Sequence, residues 1–189
     1  MSTQTGRNTE LPLKPEQAEW LKNKIRDIPD FPKPGILFKD VTTLWKDPEA
    51  FAFVTDALAQ KCKSLSPDVI AGIEARGFIV GSAIAYLLGL GFVPIRKPGK
   101  LPYVVEKITY DLEYGTDTIE IHTDAVEKGQ RVVLLDDLLA TGGTARGAIQ
   151  LLEKIGATVA GTGFIVELGF LEGRKRLSTQ SEIFSVINY

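Results

Sequence analysis

The sequence predicts a single α/β domain built on a central, mostly parallel sheet flanked by helices. Two strand-helix-strand patterns, over 69–95 and 131–166, predict it, because parallel neighbours need a crossover and a helix supplies one. A third observation agrees: the first strand of the second pattern ends in two acids and then a pair of glycines, at the edge where open α/β sheets bind ligands. A chain of 189 residues, 44% apolar and 24% charged, fills one ordinary core and leaves too little for a second full domain.

Residues 1–12 are rich in Ser, Thr, Gln and Asn without an apolar period, and predict a flexible tail. Leu21, Ile25 and Ile28 recur at helical spacing, so an amphipathic helix is expected over 15–28, ending before Pro29. Pro29, Pro32 and Pro34 then exclude a regular element and hold 29–38 in a stiff extended or turning path. Asp47 before Pro48 is a helix cap followed by a pre-set first residue, with Phe51, Val54, Leu58 and Cys62 on one face. The first unit follows: an apolar run at 68–73, a helix apolar nearly all round at 77–88, and a strand at 91–95. Residues 96–118 form a long polar connection with only a weak extended stretch at 101–109, the length of a functional lid or binding loop. His122 closes an alternating stretch typical of a half-exposed strand, and without an adjacent metal or triad partner it reads as structural. The second unit runs from a strand at 131–135 through a helix to about 155, capped by Gly156, into a strand at 158–166.

Composition excludes several classes. A net charge of -2 and pI near 5.5 give no basic surplus for nucleic-acid binding. The single cysteine, Cys62, cannot form an internal disulfide and is read as packing, which suits a reducing cytoplasm. The N-terminus lacks a secretory pattern, and no apolar run approaches the ~20 residues of a membrane span. Gly173-Arg174-Lys175-Arg176 reads as a solvated turn.

The chemistry concentrates in Val132-Val133-Leu134-Leu135-Asp136-Asp137-Leu138-Leu139-Ala140-Thr141-Gly142-Gly143-Thr144. A buried strand delivers Asp136 and Asp137 to the sheet edge, where carboxylates can accept from a ribose diol or help hold a hydrated Mg²⁺. Gly142 and Gly143 let an anion approach the backbone. Helix amides and the Thr141 and Thr144 hydroxyls then complete a phosphate cradle starting at Ala140. The loop has neither Gly-Lys-Ser/Thr nor Gly-x-Gly-x-x-Gly, which excludes the triphosphate and dinucleotide loops. In Glu74-Ala75-Arg76-Gly77, Arg76 suits bidentate donation to pyrophosphate, or else a surface salt bridge. Arg96-Lys97-Pro98-Gly99-Lys100, taken alone, is a solvated basic turn.

Asp136 to Thr144 resembles the phosphoribosyl pyrophosphate signature of the type I phosphoribosyltransferases. With Asp30-Phe31-Pro32-Lys33-Pro34-Gly35-Ile36-Leu37-Phe38-Lys39-Asp40, Glu74-Ala75-Arg76-Gly77-Phe78, Arg96-Lys97-Pro98-Gly99-Lys100-Leu101-Pro102 and Leu112-Glu113-Tyr114-Gly115, the chain is similar to the branch acting on adenine, from about residue 20 onward. The resemblance implies the type I fold with a small N-terminal hood over 28–45 and a catalytic lid loop over 96–118. It implies adenine and phosphoribosyl pyrophosphate as substrates, and AMP and pyrophosphate as products. Leu37, Phe38 and Lys39 would meet the base, partly through backbone groups. Lys39 stands where some members have arginine. Lys97 and Lys100 would lie near pyrophosphate, with Glu113 and Tyr114 closing over the site and Glu113 exchanging a proton with the base. Arg76, Asp136 and Asp137 would be catalytic. Mg²⁺ would be held mainly by substrate, through water to Asp136 or Asp137, with no direct protein ligand. A cytoplasmic homodimer is implied, with no nucleic-acid or membrane partner. A sister enzyme for another purine is the alternative within the family, and a sugar-phosphate sensor binding nucleic acid would need a basic face that this chain lacks.

Overall fold

The computed structural model describes residues 8–11, 13–111, 115–177 and 181–189. β1 (Asn8–Glu10) and α1 (Pro15–Lys22) precede a ribbon of β2 (Arg26–Pro29) and β3 (Leu37–Asp40). α2 (Thr42–Lys46) and α3 (Pro48–Ser64) lead into β4 (Val69–Ile73), α4 (Arg76–Leu88) and β5 (Gly91–Ile95). A hairpin follows, β6 (Val105–Asp111) and β7 (Thr116–His122), and then β8 (Arg131–Leu139), α5 (Gly143–Lys154) and β9 (Thr158–Glu167). A 3-10 turn at Gly169–Leu171 and α6 (Gly173–Arg176) deliver the chain to β10 (Glu182–Asn188).

The main sheet is parallel throughout, in the order β1-β10-β9-β8-β4-β5. Its centre reads as continuous apolar sequence because both faces are covered. Val132 and Leu134 of β8 face a core with Ala148 and Leu152 of α5, while Val133 and Leu135 face the other, with Val54 and Leu58 of α3 and Ile84 of α4. Successive strands spread to opposite sides of the β4/β8 junction. That junction is the switch point at which α/β sheets open a crevice. α3 starts as its sequence requires: Asp47 accepts from the amides of Glu49 (3.1 Å) and Ala50 (3.0 Å), with Pro48 first in the helix.

Four boundaries differ from the sequence expectation. Within the expected tail, Asn8–Glu10 pairs with β10 as an edge strand; residues 1–7 and 12 lie outside the described residues. The expected helix over 15–28 stops at Lys22, and the chain turns into β2, which pairs antiparallel with β3 so that Ile28 faces Phe38. Pro32 and Pro34 thus lie in the turn of a ribbon, while Pro29 ends β2 opposite Leu37, so the stretch 29–38, expected to exclude a regular element, has a strand at each end. Residues 96–118, expected as a loop, hold β6 and the start of β7, paired from Val105–His122 to Asp111–Thr116; 112–114 lie outside the described residues. β8 continues through the acids to Leu139, since Leu138 and Leu139 still pair with β9.

Candidate active site

The switch point brings together groups distant in sequence. β4 ends just before Arg76, whose Nε donates to Asp137 Oδ2 at 2.6 Å. Asp137 is 2% exposed, so this guanidinium is the counter-charge that makes its burial tolerable. Asp136 is half-buried and its Oδ1 accepts from the Asp137 amide at 2.8 Å. Burial, and next the charge of Asp137, push the Asp136 carboxyl well above the usual carboxylate range. The two acids are therefore unlike in their contacts: Arg76 bonds to the Asp137 carboxylate, whereas the Asp136 carboxylate accepts from the Asp137 amide.

Arg76, the acid pair and residues 138–145 line a cavity of about 250 Å³. Gly142 caps α5 with φ 83°, in the left-handed region, and a Cβ there would lie 2.6 Å from the Gly173 carbonyl oxygen. A Cβ on Gly173 would in turn lie 2.2 Å from the Ala140 oxygen, so the turn and the start of α6 interlock backbone to backbone. Gly77 has the same role at the next wall: its Cβ would fall 2.7 Å from the Leu135 oxygen and 3.0 Å from Asp136 Oδ1. The first amides of α5 have no intrahelical acceptor and form the positive end of the helix, facing the cavity.

A buried polar network braces this turn from behind. Arg174 donates to Glu167 Oε1 (2.6 Å), to the Ile183 carbonyl (2.7 Å) and to Ser185 Oγ (3.0 Å), and Ser185 donates to Glu167 Oε2 (2.8 Å). Arg174 is thus no part of a solvated turn, as the sequence had suggested; only a run of cations is visible there, and its buried partners lie on β9 and β10.

The hood approaches the same edge. The Arg76 guanidinium lies 5.6 Å from the Phe38 ring centroid, Phe31 meets Phe38 edge-on at 5.2 Å, and Leu37 is half exposed. Lys39 pairs with Asp27 at 2.6 Å. Among the predicted residues, the geometry gathers Phe38, Arg76, Asp136, Asp137 and Ala140 to Thr144.

Lys97 and Lys100 do not line the cavity. The Lys97 ammonium is held by Asp117; burial lowers its pKa, but Asp117 and Tyr110 outweigh burial and raise it. Lys100 is exposed, and its carbonyl accepts from Arg96. Glu113 and Tyr114 lie outside the described residues. The sequence reading missed Glu74, which shapes this basic turn by accepting from the Lys97 amide (2.9 Å) and Arg96 Nε (3.2 Å). Its place at the end of an apolar strand, beside Arg76, was the available signal. His122 stands edge-on to Tyr103 with its Nε2 buried and unpartnered, and no group of three or more acids, histidines or cysteines placed to hold a metal ion occurs among the described residues.

Residues 40–185 match the family model of the phosphoribosyl transferase domain. The chain is similar to the adenine phosphoribosyltransferase of Desulfitobacterium hafniense (strain Y51), 58% identical over 165 residues, which cover 87% of this chain and 95% of that protein. It is also similar to the crystal structure of adenine phosphoribosyltransferase from Thermoanaerobacter pseudethanolicus, at 52% identity and TM-score 0.88 over 91% of this chain and 99% of that one. The Saccharomyces cerevisiae enzyme, complexed with an imino-altritol bisphosphate and adenine, is similar at 39% identity and TM-score 0.84 over 90% of this chain and 98% of that one.

Proposed function

Since the chain belongs to the phosphoribosyl transferase family, and within it to the adenine phosphoribosyltransferases, we propose that the acid pair, glycine turn and hood described above carry out its reaction. The reaction is the purine-salvage transfer of a phosphoribosyl group from phosphoribosyl pyrophosphate to adenine, giving AMP and pyrophosphate. The observation that carries the assignment of roles is the Arg76–Asp137 pair set beside a glycine turn at the switch point.

N9 of adenine attacks the anomeric carbon as its bond to pyrophosphate breaks, so positive charge builds on the ribose ring. Asp136 and Asp137 orient the ribose diol and favour that charge. Nε of Arg76 is engaged by Asp137, which leaves its two terminal nitrogens for pyrophosphate oxygens. The α5 amides of Gly143 and Thr144, with the Thr141 and Thr144 hydroxyls, grip the ribose phosphate. β3 pairs along one edge only, so backbone groups of Leu37 and Lys39 on its other edge are available to the base while Phe38 packs against it. Lys97 and Lys100 approach pyrophosphate when the lid closes, Tyr114 helps exclude water, and Glu113 exchanges a proton with the base.

The donors suit Mg²⁺ in one manner. Asp137 is engaged by Arg76 and Asp136 stands beside it on the cavity wall, a pair suited to a cation that keeps several waters and rides on substrate phosphates. Asp136 or Asp137 would reach it through water, and neutralisation of pyrophosphate charge is the chemistry it supplies. We also propose a cytoplasmic homodimer, supported by the buried lone Cys62, whose thiol burial pushes up to about 12, and by the exposed Ile79, Tyr86 and Leu87 on α4.

Purified protein with phosphoribosyl pyrophosphate and Mg²⁺ is expected to make nucleotide from adenine alone when offered adenine, guanine, hypoxanthine, xanthine, uracil and orotate separately. Product from another base would move the substrate within the family; no product from any would refute the reading.

A further inference from the structure

The β2–β3 ribbon pairs only with itself, apart from the main sheet. A two-stranded ribbon is marginal alone, so side chains must fix its position over the sheet edge. Arg76 against Phe38 is one such contact. The other centres on Tyr189. Its backbone is locked to the carboxyl edge: its amide donates to the Glu167 carbonyl and its carbonyl accepts from the Gly169 amide, both at 3.0 Å. Its half-buried ring receives two cations, Lys39 Nζ at 4.1 Å from the centroid and Lys22 Nζ at 4.9 Å. Lys39 is fixed in turn by Asp27 across the ribbon, and only 11% of its side chain is exposed. One aromatic ring thus joins α1, both ribbon strands and the end of the main sheet.

We infer that Tyr189 is a positioning residue for the base: its ring sets the height of Lys39, and hence of the β3 backbone, above the site. The inference rests on the reading that β3 carries adenine. Desolvated cation-π contacts are directional and survive loss of a phenol hydroxyl, whereas an aliphatic side chain fills space without attracting a cation. Tyr189→Phe should therefore behave like the parent, and Tyr189→Leu should not. Tyr189 is not among the residues that line the cavity at the glycine turn, so the phosphate side of the reaction should be indifferent to its ring.

The test measures KM for adenine and for phosphoribosyl pyrophosphate, with kcat, in the whole protein and in Tyr189→Phe, Tyr189→Leu and Phe38→Ala. Tyr189→Leu is expected to raise the adenine KM about fivefold to tenfold, leaving kcat and the sugar-phosphate KM within about twofold, and Tyr189→Phe to restore the parent value. An unchanged adenine KM in Tyr189→Leu, or a parallel rise in both KM values, overturns the inference. Phe38→Ala then separates the two readings: if it raises the adenine KM the hood keeps its role without Tyr189, and if it does not both fall.

Discussion

Asp136 and Asp137 are adjacent in sequence and opposite in environment. A carboxyl whose folded pKa lies above its unfolded value adds stability only while it holds its proton; that contribution is full below the unfolded pKa, ~3.9, and is lost as pH rises through the folded value. Asp136 is such a group, so at neutral pH its ionisation opposes folding of the unliganded protein. Asp136→Asn keeps an oxygen to accept from the Asp137 amide and removes the charge set against that of Asp137. At pH 7 the unfolding temperature is expected to rise and at pH 4 to stay put, while kcat falls ~10²–10³-fold. A lower unfolding temperature at pH 7, or a near-normal kcat, contradicts this account. The acids themselves were legible in the sequence, because two carboxylates after four apolar residues have few other uses. Their inequality was not, since it depends on Arg76 choosing Asp137, 61 positions later.

At the scale of elements, regular burial made the fold readable. β4, α4, β5, α5 and β9 begin and end close to their expected bounds, because a strand covered on both faces and a helix under it leave an unambiguous apolar pattern. The ribbon and the pairing of β6 with β7 were not legible: apart from Asp40, Tyr110 and Ile119 to Ile121 their residues are exposed or half-buried, so partners across a turn decide them, and the sequence offered only a weak extended stretch at 101–109 and the alternating one ending at His122. α1 was overextended because Ile25 and Ile28 satisfy the helical period while belonging to the turn and strand that follow. α6 was missed as a brace because its partners are non-local. Arg174→Met should leave Glu167 as a buried, uncompensated carboxylate, costing ~3–5 kcal/mol in denaturant unfolding. Adding Glu167→Gln should recover part of the loss. Additive losses would mean that the pair is not coupled. Because Gly173 abuts Ala140, the single variant should also weaken sugar-phosphate binding more than adenine binding.

For the whole molecule, α4 leaves Tyr86 85% exposed, with Leu87 and Ile79 exposed beside it, a concentration of apolar side chains that a solitary globule has little reason to keep. Light scattering is expected to give twice the chain mass of 20.7 kDa, and Tyr86→Glu to shift it toward that mass. A monomeric parent would contradict the assembly proposed here. Contacts also divide the molecule internally: the glycine turn follows β8 of the main sheet, whereas the ribbon proposed to meet the base shares no ladder with that sheet. Under the proposed assignment of roles, base preference and phosphate grip are thereby separately heritable. A chimaera carrying a relative's segment 26–40 would exchange the nucleobase vocabulary and leave the sugar-phosphate grammar in place.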